Sequence, residues 1–143
     1  MKVDSKLTKQ QDIEGGFAFG RYTLFRKIGF GGMAEVFLAE RTGSNTEEAV
    51  VVKTILPHLA KDPQFVAMFT NEAQLAAQMR HPGIVRVFDF GEFDNRLYMA
   101  MEFVDGLDCW RFSRRLYPRT KDHTALAGWI ISHVLGALSY AHQ

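Results

Sequence analysis

With 143 residues, 47% of them hydrophobic and 23% charged, and a formal net charge of +1, the chain has the size and balance of one soluble globular domain, and nothing marks a nucleic-acid binder. Its single cysteine, Cys109, excludes an internal disulfide, and residues 1–10 carry no charged-then-apolar leader, so a cytoplasmic location is expected. The five histidines never fall three or four apart on a helical stretch, and with one cysteine no metal site is expected.

Residues 1–20 form a polar lead-in with Lys2, Lys6, Lys9, Gln10 and Gln11 and no sustained period, which reads as a flexible tail with the core starting near Arg21. Tyr22, Leu24, Phe25 and Ile28 then make one apolar-rich run and Val36, Phe37, Leu38 and Ala39 a second. Gly29, Gly31 and Gly32 lie between them, at the turn of a hairpin. A turn with so little side chain leaves backbone N–H groups open to a phosphate. After the turn cluster Gly43-Ser44-Asn45, the β-branched run 49–55 predicts a third antiparallel strand. Alternation puts Val51 and Lys53 on one face and Val50 and Val52 on the other. An ammonium in so apolar a strand calls for an anionic partner.

Asp62-Pro63 predicts an N-cap followed by proline in the first helical turn. The helix carries Phe65, Met68, Phe69, Leu75, Ala76 and Met79 at helical spacing and should stop near Arg80, before His81-Pro82. Glu72 falls on the apolar stripe itself. A lone glutamate there reads as a solvated edge; with Lys53 and the glycines in place, a buried Lys53–Glu72 pair is expected. Residues 84–90 and 96–102 predict two more strands around a turn at 91–95. Five antiparallel strands with one main helix make a small α+β lobe.

Further on, residues 108–116 predict a short helix. Arg111, Arg114, Arg115, Arg119 and Lys121 form a basic cluster that reads as a solvated face, with a docking patch for acidic partners as the alternative. Residues 125–141 predict a long apolar helix bearing Trp129, Ile130, Ile131, Val134, Leu135 and Leu138. At 17 residues, interrupted by Gly128, Ser132, His133, Gly136 and Ser139, it falls short of the ~20 expected of a membrane span. Two other readings of the glycines fail on context. A dinucleotide fold needs a helix directly after them, where residues 35–40 read as a strand, and a phosphate loop of the Gly-Lys-Ser/Thr type is absent.

Taken together, Gly29-Phe30-Gly31-Gly32-Met33-Ala34-Glu35-Val36, Val51-Val52-Lys53, Glu72, His81-Pro82-Gly83-Ile84-Val85 and Met101-Glu102-Phe103-Val104-Asp105-Gly106 resemble, in order, the amino-terminal lobe of a protein kinase. The wording is similar to that of bacterial eukaryotic-like serine/threonine kinases. The resemblance implies an N-lobe over residues 21–103, followed at 104–143 by the hinge exit and first helices of an incomplete C-lobe. It implies ATP as cofactor, with Gly29, Gly31 and Gly32 in the phosphate loop and Ala34 where the family usually has its third glycine. Ile28 and Val36 would cover the adenine, and Val51 stands where alanine is usual. Lys53 would contact the α- and β-phosphates, held by Glu72, while Met101 would be the gatekeeper, backbone groups of Glu102 and Val104 would meet the adenine edge, and Asp108 would reach the ribose.

In the family, the His-Arg-Asp catalytic loop and the Asp-Phe-Gly metal motif follow the position of His142, and neither occurs in these 143 residues. The resemblance thus implies Mg²⁺ for the complete domain with its ligands absent here, a chain that does not transfer phosphate alone, and a protein substrate or regulatory partner. A non-catalytic nucleotide-binding or decoy module is the alternative. Self-association through the last helix is expected, because C-lobe elements that would cover it are missing from the sequence.

Overall fold

A computed structural model describes residues 11–43, 48–116 and 123–142. The chain divides into two compact units, one made of residues up to Gln78 with Arg86–Phe103, the other of Met79–Val85 with the residues from Val104 onward.

The first unit is a six-stranded antiparallel sheet: β1 (Gln11–Phe19), β2 (Tyr22–Phe30), β3 (Ala34–Arg41), β4 (Ala49–Ile55), β5 (Val87–Phe93) and β6 (Arg96–Glu102), in spatial order β1-β2-β3-β4-β6-β5. Helix α1 (Pro63–Gln78) follows β4. Sequence reasoning counted five strands and placed residues 11–19 in a flexible tail, whereas they form β1 and send Phe19 into the core at 2% exposure. The strand escapes pattern reading because Gly15 and Gly16, at φ +77° and +72°, bulge it between Asp12 and Phe17 and break the alternation of faces.

Each face of the sheet has its own core. Phe19, Tyr22, Leu24, Phe37, Ala39, Val50, Val52 and Ala100 pack on one face; Ile55, Val87 and Met99 pack on the other against Phe69 and Ala73 of α1. The sheet curls until its β1–β2 end meets β5. Phe19 and Phe93 rings stand edge-on at 4.9 Å, and a Cβ on Gly20 would lie 3.3 Å from Phe93. Tyr22 and Tyr98 hydroxyls both donate to Asp89, at 3.2 and 2.9 Å, with Arg21 Nε at 3.5 Å from the same carboxylate. Burial first, then Asp89, pushes the Tyr22 phenol up to about 12; Tyr98 is raised by the same two causes.

Local chemistry sets the boundaries. Asp62 caps α1, accepting from Gln64 N at 2.9 Å. The β5–β6 turn narrows to Asp94-Asn95, both left-handed at φ 51° and 56°, residues that tolerate that region best after glycine. Strand β5 consequently runs from Val87 to Phe93, three residues later than the pattern indicated.

In the second unit, α2 (Cys109–Leu116) is capped by Asp108, which accepts from Arg111 N at 2.7 Å. Arg119 and Lys121 of the basic cluster lie outside the described residues, as do Ser44 and Asn45 of the turn cluster. Helix α3 spans His123–Ala141, 19 residues rather than 17. Its stretch Thr124–Ala141, with a mean hydropathy of 1.3, is long and apolar enough to cross a membrane by length and composition alone, a test that the core helix of a soluble protein also passes. Tyr140 near its end accepts from Arg80 N at 2.9 Å and stacks near the His81 ring at 5.3 Å.

Candidate functional site

Strand register assembles the candidate residues. Directly paired residues on antiparallel strands share a face. Gly29 pairs with Val36, Val36 with Lys53 and Lys53 with Met99, giving one cross-strand row; Leu38, Val51 and Met101 form the next. Gly29, Val36, Val51, Lys53 and Met101 therefore lie on a single face, the one on which α1 packs. Ile28 sits in the register slip between Lys27 and Gly29.

Lys53 Nζ lies 2.8 Å from Glu72 Oε1 and 5.7 Å from the centre of the Phe69 ring. The two side chains are 27% and 53% exposed, so the pair expected to be buried is open to solvent. The reason is position: Glu72 stands at the edge of the α1 stripe, with Phe69 and Ala73 filling the core beside it. An ion pair this exposed contributes little to stability, at most ~1 kcal/mol. What it does is hold an ammonium in place at an accessible surface.

At the hairpin tip, Gly31 N donates to Ala34 O at 3.0 Å, so this amide closes the turn and is not among the donors open to a ligand. Leu56 N donates to Met33 O at 3.0 Å, tying the tip to the end of β4. None of Gly29, Gly31 and Gly32 adopts positive φ, so their value here is clearance. A Cβ on Gly29 would press on Val36 at 3.2 Å, whereas one on Gly32 would meet nothing within 4 Å. Ala34 likewise has no left-handed backbone to maintain, which accounts for alanine where a third glycine is usual. A hollow of about 40 Å³ opens between Met33, Ala34, Lys53, Ile55, Phe69 and Glu72, far too small to seat a nucleotide by itself.

The remaining candidates divide between the units. Glu102 closes β6, and its N–H donates to Arg86 O at 2.9 Å, leaving only its carbonyl for an adenine edge. Val104 and Asp108 belong to the second unit, where the Asp108 carboxylate caps α2 and approaches Arg111 Nε at 3.4 Å. Sequence reasoning missed a second ion pair, Lys27–Glu35 on the glycine hairpin, although opposite charges flanking a short turn were a legible signal.

The residues fit a phosphate-bearing nucleotide: a fixed ammonium, a glycine loop with open space at Gly32, and a valine-and-methionine face beside them. Serine/threonine-protein kinase PknI of Mycobacterium tuberculosis is 36% identical over 131 residues, covering 92% of this chain and 22% of that protein. Tyrosine-protein kinase MasK of Myxococcus xanthus is 39% identical over 130 residues, covering 87% of this chain and 20% of that protein. The crystal structure of the M. tuberculosis PknI kinase domain superposes with a TM-score of 0.72 at 36% identity, covering 90% of this chain and 50% of that one. The chain thus spans half of a solved kinase domain and about a fifth of the curated relatives it matches. The family model for the protein kinase domain matches residues 22–143, and the chain belongs to that family.

Proposed function

We propose that this chain is the ATP-binding part of a serine/threonine protein kinase, an enzyme that transfers the γ-phosphate of ATP to protein hydroxyls in the cytoplasm. The observation that carries the reading is the Lys53–Glu72 pair at 2.8 Å, on the sheet face shared with Gly29, Val36, Val51 and Met101. In this reading Lys53 neutralises the α- and β-phosphates and Glu72 fixes its direction. The loop from Gly29 to Ala34 covers the phosphates, and Ile28, Val36 and Val51 enclose the adenine beneath Met101. The Glu102 carbonyl meets the adenine edge. Mg²⁺ supplies charge neutralisation in the complete domain.

Positioning and electrostatics make up nearly all of phosphoryl-transfer catalysis. The family's catalytic base and metal ligands come from motifs that these 143 residues do not contain. We therefore expect the chain by itself to bind ATP without transferring phosphate. We also expect the exposed face of α3 to draw copies of the chain together.

The test is a single pair of measurements on the purified chain. ATP titration should give saturable binding that Lys53→Met weakens 100-fold or more, about 3 kcal/mol. Incubation with labelled ATP and a generic protein substrate should leave the substrate unlabelled. Undiminished affinity in Lys53→Met would refute the site; Lys53-dependent labelling would refute the incompleteness.

A further inference from the structure

The glycine hairpin has a second face. Because Lys27 pairs with Phe37 and Phe30 with Glu35, these four residues lie on the side of the sheet away from Lys53 and Val36. There Lys27 Nζ meets Glu35 Oε1 at 2.5 Å, a diagonal bridge between the two strands of the hairpin. The ammonium also lies 5.9 Å from the ring centre of Phe30 and 5.7 Å from that of Phe37. The two lysines are equally exposed, at 26% and 27%, but Glu35 at 17% is far more withdrawn from water than Glu72 at 53%. Two aromatic neighbours and a charge-assisted hydrogen bond make it a firmer contact than a surface pair.

Its location gives it a task. The β2–β3 register slips between Lys27 and Gly29, and past Phe30 the turn is closed by Gly31 N donating to Ala34 O. Backbone pairing is therefore irregular just where the glycines make the chain pliable. A loop that must be ordered on binding costs affinity, and one already held at its base costs less.

We propose that Lys27 and Glu35 are positioning residues that preset the bend of the glycine loop for the nucleotide; this rests on the ATP-site reading above. Neither side chain touches the nucleotide, since both face away from Lys53. They act by fixing the two strands from which the loop springs.

ATP titration and amide hydrogen exchange on the 143-residue chain test this. Lys27→Met and Glu35→Gln should each weaken ATP binding about five-fold, the upper range for a cross-strand pair. Lys27→Arg, which keeps the charge, should stay within about two-fold of the parent, and the exchanged pair K27E/E35K should recover most of the affinity. Exchange in the nucleotide-free protein should rise at residues 31–34 and stay unchanged at residues 50–52. If Lys27→Met and Glu35→Gln bind ATP normally while Lys53→Met does not, the positioning role is overturned and the nucleotide site stands. If Lys53→Met also binds normally, the site reading itself falls. A drop in thermal stability with affinity and loop exchange unmoved would make the pair structural only and overturn the proposal. Glu35→Gln, nearly isosteric, carries the test should Lys27→Met fail to fold.

Discussion

The two units of this molecule have similar apolar content and opposite fates for it. In the sheet unit, apolar side chains from all six strands and α1 close into two cores, with Val52 and Ala100 at 0% exposure. In the helical unit no described residue is buried: Trp129, Ile131, Val134, Leu135 and Leu138 of α3 are all about half exposed or more. A helix hydrophobic nearly all round calls for an apolar environment on every side. The first unit therefore carries its own stability, and the second depends on contacts that its described residues do not supply.

The largest expected effect follows directly. Phe37→Ala removes a ring from the first core and should cost about 3–5 kcal/mol, whereas Trp129→Ala on α3 should stay within about 0.5 kcal/mol. Both tryptophans, Trp110 and Trp129, belong to the helical unit, so urea unfolding of the sheet is better followed by amide exchange in β3 and β4. Equal costs for the two variants would erase the distinction between the units.

Self-association comes next. Ile131, Leu135 and Leu138 lie on one flank of α3 at helical spacing, and their surface is expected to bring copies together. Sedimentation velocity should show mass increasing with concentration, and Leu135→Glu with Leu138→Glu should return the chain to monomer. A parent that is monomeric at high concentration would mean that α3 is covered from within the chain.

The same contrast governs what could be read from the sequence. Strand β4 and the Val51/Lys53 against Val50/Val52 division were legible because period-2 alternation follows directly from which face meets a core. The Lys53–Glu72 pair was legible because a charge in a valine run demands a partner. Strand β1 was not, because two positive-φ glycines hide its alternation. Nor was the Asp89 cluster, which depends on the sheet curling until β2 meets β5, a contact 67 residues apart in sequence. Openness of the Lys53–Glu72 pair was missed for a related reason. Pattern places a residue on a stripe, but the neighbours that fill the core beside it decide its exposure.

That cluster gives the sheet unit an alkaline limit that the helical unit has no reason to share. Tyr22 titrates near 12 when folded against 10.0 unfolded, so above pH 10 the unfolded chain loses a proton that the folded one keeps. Stability from this group is complete below pH 10 and is lost as pH rises toward 12. Tyr98, raised for the same causes, adds in the same direction. Urea midpoints measured from pH 8 to 11.5 should fall above pH 10, and Tyr22→Phe should flatten the fall. An unaltered slope in that variant would remove Tyr22 from the account.

The smallest effect compares the same chemistry in both units. Asp62 caps α1 and Asp108 caps α2, each accepting a backbone N–H of the first turn at 2.9 and 2.7 Å. Loss of such a cap costs about 1 kcal/mol. For Asp62→Ala that cost should appear in global stability, because α1 unfolds only when Phe69 and Ala73 leave the second core. For Asp108→Ala it should appear as faster amide exchange within α2 alone, because no described residue of α2 is buried and the helix frays without disturbing a core. A urea midpoint lowered as much by Asp108→Ala as by Asp62→Ala would show that the helical unit is cooperatively joined to the sheet after all.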